Sequence, residues 1–295
     1  MERDSRTVEL EEGWRFLASS LAKIRRAVDA GGEGLSVEEY MQAFTTVYCM
    51  CKQAAPHNYS QQLYQRYKDN LDDYIKSTVL PALKEMHGEA LLRELVDRWR
   101  KHSRILDSEI KLFRYLHRYY ISKTSLPPLK QLGSTSFRDL RDDNENFRGF
   151  GIAQIDDERD GQLIDQELLK NAFDIYVQIS FRKLDVYKAD FEQSFLESTR
   201  NYYSRKAQAW ILEYSDPEYM VKVEECLRNE KERVARYLHS STEPKLMEVR
   251  IPICVPLFVC LFVLLCLWLY GVSCAIGVDN NTRAESDSYL KENSE

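Results

Sequence analysis

Two short clusters in this chain carry residue types able to do metal or acid–base chemistry. Cys49-Met50-Cys51 puts two thiols close together with His57 nearby, the soft ligand types that hold zinc. A closed site would need further ligands from distant parts of the chain, and the simpler reading is a helix that uses cysteine as a small hydrophobe. Asp156-Asp157-Glu158-Arg159-Asp160-Gly161 offers several carboxylates, but it lacks the alternating ligands and the closing Glu of a calcium loop and reads as a solvated turn. The five histidines show no pairing at ligand spacing. There is no glycine-rich phosphate loop, no G-x-S-x-G elbow, no H-E-x-x-H pair and no C-x-x-C set. The residues therefore argue against an enzyme, and no cofactor or metal is expected.

Recognition of a partner is the better candidate. Tyr40, Met41, Phe44, Val47 and Tyr48 cover more than one face of a helix, whereas packing in a bundle needs only one stripe. Tyr and Met are favoured at interfaces. On pattern alone, core packing and an exposed binding face remain equally open.

The elements that would position these residues are helices. Trp14, Leu17, Leu21, Ile24 and Val28 recur in steps of three and four, which predicts a first helix ending at Gly31 and Gly32. Ser36-Val37-Glu38-Glu39 has the spacing of a capping box and predicts a second helix from Val37 to Ala54, closed by Pro56. A third is expected from Ser60 toward Val79, with Leu63, Tyr67, Leu71, Tyr74 and Ile75 inward. A fourth is marked by Leu91, Leu92, Leu95, Val96 and Trp99, and a separate fifth by Ile105 to Ile121, before Pro127-Pro128. After a looser polar stretch from Arg141 to Gly151, helices are predicted over Leu163 to Ile179, Tyr187 to Glu213 and Pro217 to His239. No strand-like alternation of useful length interrupts them, so the expected fold is all-α, a bundle or helical repeat.

Composition agrees with a globular chain. Of 295 residues, 44% are hydrophobic and 30% charged, and the formal net charge is −6. An acidic balance argues against a nucleic-acid partner, and the basic runs Arg25-Arg26 and Arg98 to Lys101 sit among acidic residues as solvated helix faces. Only Cys49, Cys51 and Cys226 precede the last apolar stretch, so no disulfide framework is legible. The N-terminus lacks the apolar core of a signal peptide, and a cytoplasmic or nuclear location is expected for residues 1–248.

Several long segments resemble the cullin family, in the plant form that scaffolds Skp/F-box ubiquitin ligases. They are Glu39-Tyr40-Met41 with Phe44-Thr45-Thr46-Val47-Tyr48, Pro56-His57-Asn58-Tyr59-Ser60, Ser77-Thr78-Val79-Leu80-Pro81-Ala82-Leu83 and Tyr202-Tyr203-Ser204-Arg205-Lys206-Ala207. Ser125-Leu126-Pro127-Pro128-Leu129, Asp174-Ile175-Tyr176-Val177 and the run from Glu232 to Ser241 extend the likeness across residues 8–248. It implies a stalk of tandem five-helix cullin repeats, the first complete over 1–140 and the second partial over 141–248, followed by a divergent tail over 249–295. It further implies that the second and fifth helices hold a Skp-type adaptor with its F-box protein through Tyr40, Met41, Phe44, Tyr48, Ile110, Leu112 and Tyr115. A non-catalytic scaffold is thus expected, without the regions that bind a RING subunit or accept neddylation.

Three departures from the plant pattern carry expectations of their own. Phe44 stands where a Tyr is usual, and Ser108-Glu109 where two apolar residues are usual on the fifth helix. A charge at a desolvated interface would cost about 1 to 3 kcal/mol of affinity. Glycines around Asn144 to Gly151, placed in a helix interior, would each cost about 1 kcal/mol and loosen the joint between repeats.

Residues 251–278 run without a charge and are long enough to cross the hydrocarbon core of a bilayer. Arg236, Lys245 and Arg250 before the run outnumber Arg283 and Lys291 after it, which would keep the large N-terminal part cytosolic. Two readings stand: a candidate transmembrane helix that tethers the chain to a membrane, or translated intron sequence in a truncated, non-functional product.

Overall fold

A computed structural model describes residues 7–140, 151–180 and 183–249. Among these every regular element is helical. The apolar run at 251–278 lies outside the described residues, and among those described no helix is long and apolar enough to cross a membrane.

Helix α1 spans Leu10–Ala30 and buries Leu17, Leu21 and Ile24, ending at Gly31 with φ 71° as the spacing predicts. Helix α2 spans Val37–Lys52 and begins with the expected capping box: the Glu39 amide donates to the Ser36 hydroxyl at 3.2 Å and the Ser36 amide to Glu39 Oε2 at 2.8 Å. It stops two residues short of the predicted end. Helix α3 runs from Ser60–Tyr74 through a π-helical turn at Ile75–Val79 into Leu80–Lys84. The widened turn lies just before Pro81, which has no N–H to give and whose ring would crowd the carbonyl one turn back.

The largest difference from expectation is in α4, which runs unbroken over Gly88–Leu112. The predicted boundary between Trp99 and Ile105 does not exist. Its inward stripe is continuous, but the member that falls at the expected boundary, His102, is polar and hides the periodicity. The break comes at Phe113 (φ −89°, ψ 18°), after which α5 comprises Arg114–Leu116, a π-helical turn at His117–Ile121 and Ser122–Thr124. Burial of Phe113, Leu116 and Ile121 ties α5 to the core formed by Leu17, Leu21, Val47, Met50, Leu63 and Tyr67.

Helix α6 (Leu129–Asp139) packs closely on α4: a Cβ at Gly133 would lie 2.3 Å from the Leu106 side chain. Helix α7 spans Ile152–Arg159, so Asp156 to Arg159 are helical and the predicted solvated turn is confined to Asp160 and Gly161. Gly151 is the residue preceding α7 at φ 81°, not a helix interior, and a Cβ there would meet the Phe173 ring at 2.9 Å. Its cost as a helix-interior glycine therefore does not arise, and the rest of the stretch, Asn144 to Phe150 with Gly149, lies outside the described residues.

Helix α8 spans Gln166–Ile179, with Asp165 as its cap. Helix α9 runs from Asp185–Tyr187 through a π-helical turn at Lys188–Glu192 into Gln193–Glu213; α10 spans Asp216–Tyr237 and α11 Thr242–Val249. The described residues divide into two compact units, those within 7–195 together with Arg233–Ser240, and those of Leu196–Glu232 together with 241–249. In the first, the Phe191 ring lies against those of Phe173, Tyr187 and Phe195, with centroids 4.1, 5.4 and 5.4 Å away. In the second, Tyr202, Tyr203, Ala207, Tyr219 and Val223 make a smaller core, and the Tyr203 hydroxyl donates to Glu230 at 2.6 Å.

Candidate partner-binding face

Helix α2 has two apolar faces with different fates. Ala43, Val47, Met50 and Cys51 are buried. Val37, Met41, Phe44 and Tyr48, which recur in steps of four and three, form a second line that the core does not cover. Val37 is 81% and Met41 53% exposed, while Phe44 and Tyr48 are half-buried. Tyr40 is also half-buried but leans on the core cluster.

Helix α5 extends this line. Tyr115 meets Tyr48 edge to face, with centroids 4.8 Å apart at 77°, and stacks obliquely on Tyr119 at 4.5 Å. Tyr119 is 47% exposed, and the Arg118 guanidinium lies 5.5 Å from its ring. At the other end Lys52 Nζ donates to the Tyr48 hydroxyl at 2.6 Å and lies 5.1 Å from its ring. The hydroxyl raises the Lys52 pKa, and burial raises that of Tyr115. The result is a row of rings held by each other and by two cations, with little rotamer freedom left to lose on binding.

The seven residues anticipated from sequence are thus placed unequally. Met41, Phe44, Tyr48 and Tyr115 belong to one row of side chains. Tyr40 and Ile110, like Tyr115, are half-buried at the core margin, but neither makes a ring contact with the row. Leu112 has no exposed surface and serves by seating the turn into α5. Tyr119, Lys52 and Val37 were missed, although each lies four residues from a residue that was picked: Tyr115, Tyr48 and Met41.

Glu109 overturns an expectation. It does not face a partner: its side chain has 0% exposure and is paired with Arg25 Nε at 2.8 Å, while the Tyr67 hydroxyl donates to it at 2.9 Å. Arg25 also donates to the Asn70 carbonyl at 3.2 Å and lies 4.8 Å from the Tyr74 ring, whose hydroxyl donates to Asp29 at 2.9 Å. Desolvation pushes the Glu109 carboxyl above its ordinary value, against the pull of the Arg25 charge and the two hydrogen bonds. The loss of interface affinity expected from a charge therefore does not arise at Glu109, and Ser108, whose hydroxyl donates back to the Arg104 carbonyl, carries no charge.

The other clusters behave differently from ligand sets. His57 Nδ1 faces the Tyr59 hydroxyl at 3.1 Å and Glu9 at 3.9 Å. Burial pushes the Cys51 thiol up to about 11, with a Ser60 hydrogen bond pulling the other way, so it is a protonated core group. Glu158 accepts from Arg233 Nε at 2.8 Å, the Tyr237 hydroxyl at 2.6 Å and the Gln166 amide at 2.7 Å. Among the described residues no group of three His, Cys, Asp or Glu could hold a metal ion.

The family model of the Cullin alpha solenoid domain matches residues 14–253. Over 248 residues the chain is 48% identical to Cullin-1 of Oryza sativa subsp. japonica, covering 83% of this chain and 33% of that protein. It is 43% identical over 242 residues to Cullin-2 of Arabidopsis thaliana, covering 81% and 33%. It is 37% identical over 246 residues to Cullin-like protein 3 of Arabidopsis thaliana, covering 82% of this chain and 95% of that one. The chain spans about a third of the length of the first two and nearly all of the third.

Proposed function

Since the chain belongs to the cullin family, we propose that it is a non-catalytic scaffold which holds a Skp-type adaptor and its F-box protein in ubiquitin-dependent protein degradation. The observation that carries this reading is the row of Met41, Phe44, Tyr48, Tyr115 and Tyr119. An apolar and aromatic line of this kind, in which Tyr115 leans on the core while Met41 and Tyr119 stay exposed, has the composition of an interface centre. Its polar rim is supplied by Lys52 and Arg118. The work of such a face is attachment; bond-making chemistry would belong to other subunits.

Size-exclusion chromatography of the full chain with a purified adaptor/F-box pair tests the proposal. The wild type is expected to co-elute with the pair, and Met41→Glu and Tyr48→Ala are each expected to weaken binding by about tenfold or more, the loss typical of interface-centre residues. Unchanged circular dichroism would show that the variants are folded, because both side chains lie outside the buried core. No co-elution of the wild type, or co-elution indifferent to both substitutions, would overturn the reading.

A further inference from the structure

A second surface lies between α4 and α8, away from the row of aromatics. Here an open groove of ≈ 560 Å³ has an apolar floor of Val96, Trp99 and Ile175. The two helices are linked beneath it by the Trp99 Nε1–H, which donates to Gln178 Oε1 at 3.2 Å. One wall carries Arg100, Lys101 and Arg104; the other carries Asn171, Asp174 and Gln178.

The charges on the α4 wall are not equivalent. Arg98 is committed to Glu94 at 2.7 Å and Lys101 to Asp97 at 2.7 Å, each pair four residues apart along the helix. Arg100 and Arg104 are exposed, one turn apart and with no ion pair among the described residues. Once Lys101 and Asp97 cancel, two guanidinium groups face a single carboxylate, Asp174, across the groove. In a chain of net charge −6 this is a local reversal of sign.

We propose that this groove is a docking surface for an acidic protein segment, with a carboxylate on each of Arg100 and Arg104 and an apolar side chain on the floor at Trp99. Guanidinium groups one helical turn apart match carboxylates spaced along an extended or helical peptide, and their planar donors favour carboxylate over a diffuse anion. Asn171 and Gln178 can pair with the peptide backbone, and Asp174 selects against segments whose negative charge reaches the far wall.

The test is fluorescence anisotropy with the full chain and a fluorescein-labelled peptide Glu-Leu-Glu-Glu-Leu-Glu, against the same peptide with Lys for Glu. Saturable binding of the acidic peptide alone, weakened about tenfold or more by Arg100→Glu/Arg104→Glu and unchanged by Arg26→Glu on α1, is the expected result. Absence of binding, equal binding of both peptides, or insensitivity to the double reversal would overturn the proposal. So would tighter binding of a labelled single-stranded RNA of equal charge, which would assign the arginines to phosphate. Circular dichroism of the double variant separates a lost site from a lost fold.

Discussion

Two carboxylates in this chain are held by the same kinds of partner and end in opposite states. Glu109 is bound by Arg25 and Tyr67, and Glu158 by Arg233, Tyr237 and Gln166. Glu109 has no exposed side-chain surface, and burial wins: its carboxyl is pushed up. Glu158 keeps 13% exposure and gains a third donor; burial still pulls upward, but the bonds from Tyr237 and Arg233 outweigh it and its carboxyl is held down. A guanidinium and a phenol are therefore not enough to fix the sign. The last fraction of solvent, and one more donor, decide it.

The strongest way to break this comparison is to remove each carboxylate. Glu109→Ala orphans a buried guanidinium and is expected to cost about 3 to 5 kcal/mol in urea unfolding. The double change Arg25→Met/Glu109→Leu should recover most of that, since it removes both charges; a double variant as unstable as the single one would show that lost packing, not an uncompensated charge, sets the cost. Glu158→Ala, where water can reach the remaining groups, is expected to cost about 2 kcal/mol.

Proton linkage sharpens the contrast, because the two groups push stability in opposite directions with pH. A raised carboxyl stabilises the fold fully below its ordinary value of 4.5 and loses that contribution as pH rises toward its folded value. A lowered one stabilises above 4.5 and loses its contribution as pH falls. The stability gap between wild type and Glu109→Gln should therefore narrow as pH rises above about 4.5, while the gap to Glu158→Gln should narrow as pH falls below it. Thermal melts across pH 3.5 to 7 read both, and parallel gaps would refute the assignment of opposite signs. The smallest effect is expected at Ser108→Leu, within about 0.5 kcal/mol, since that side chain sits one residue from Glu109 but outside the core.

What the sequence disclosed follows the same division. Helices α1, α2 and the start of α3 were legible because their buried positions are apolar and their ends carry Gly31, a Ser36/Glu39 capping box and a break before Ser60. The continuity of α4 was hidden because His102 occupies the core position at the expected boundary, and the burial of Glu109 further along was hidden likewise, since only a tertiary partner makes a polar residue tolerable there. His102 bonds to the Gly133 carbonyl at 3.0 Å, and burial drives its pKa down to about 4, which keeps it neutral. Glu109 needs Arg25, 84 residues away, to be buried at all. The proposed face was half legible: Met41, Phe44 and Tyr48 stand out as a surplus stripe on α2. Tyr119 and Lys52 join them through ring and hydroxyl contacts to Tyr115 and Tyr48, each one helical turn away, a spacing that was legible but carries no sign of which face the core leaves open.

Hydrogen–deuterium exchange on the full chain, with and without an adaptor/F-box pair, tests most directly that the row on α2 and α5 is the attachment face. Protection concentrated in peptides covering Val37–Lys52 and residues 114–124, with exchange elsewhere in the first unit unchanged, is the predicted result. A complex that forms while these two segments exchange as fast as in the free chain would contradict it.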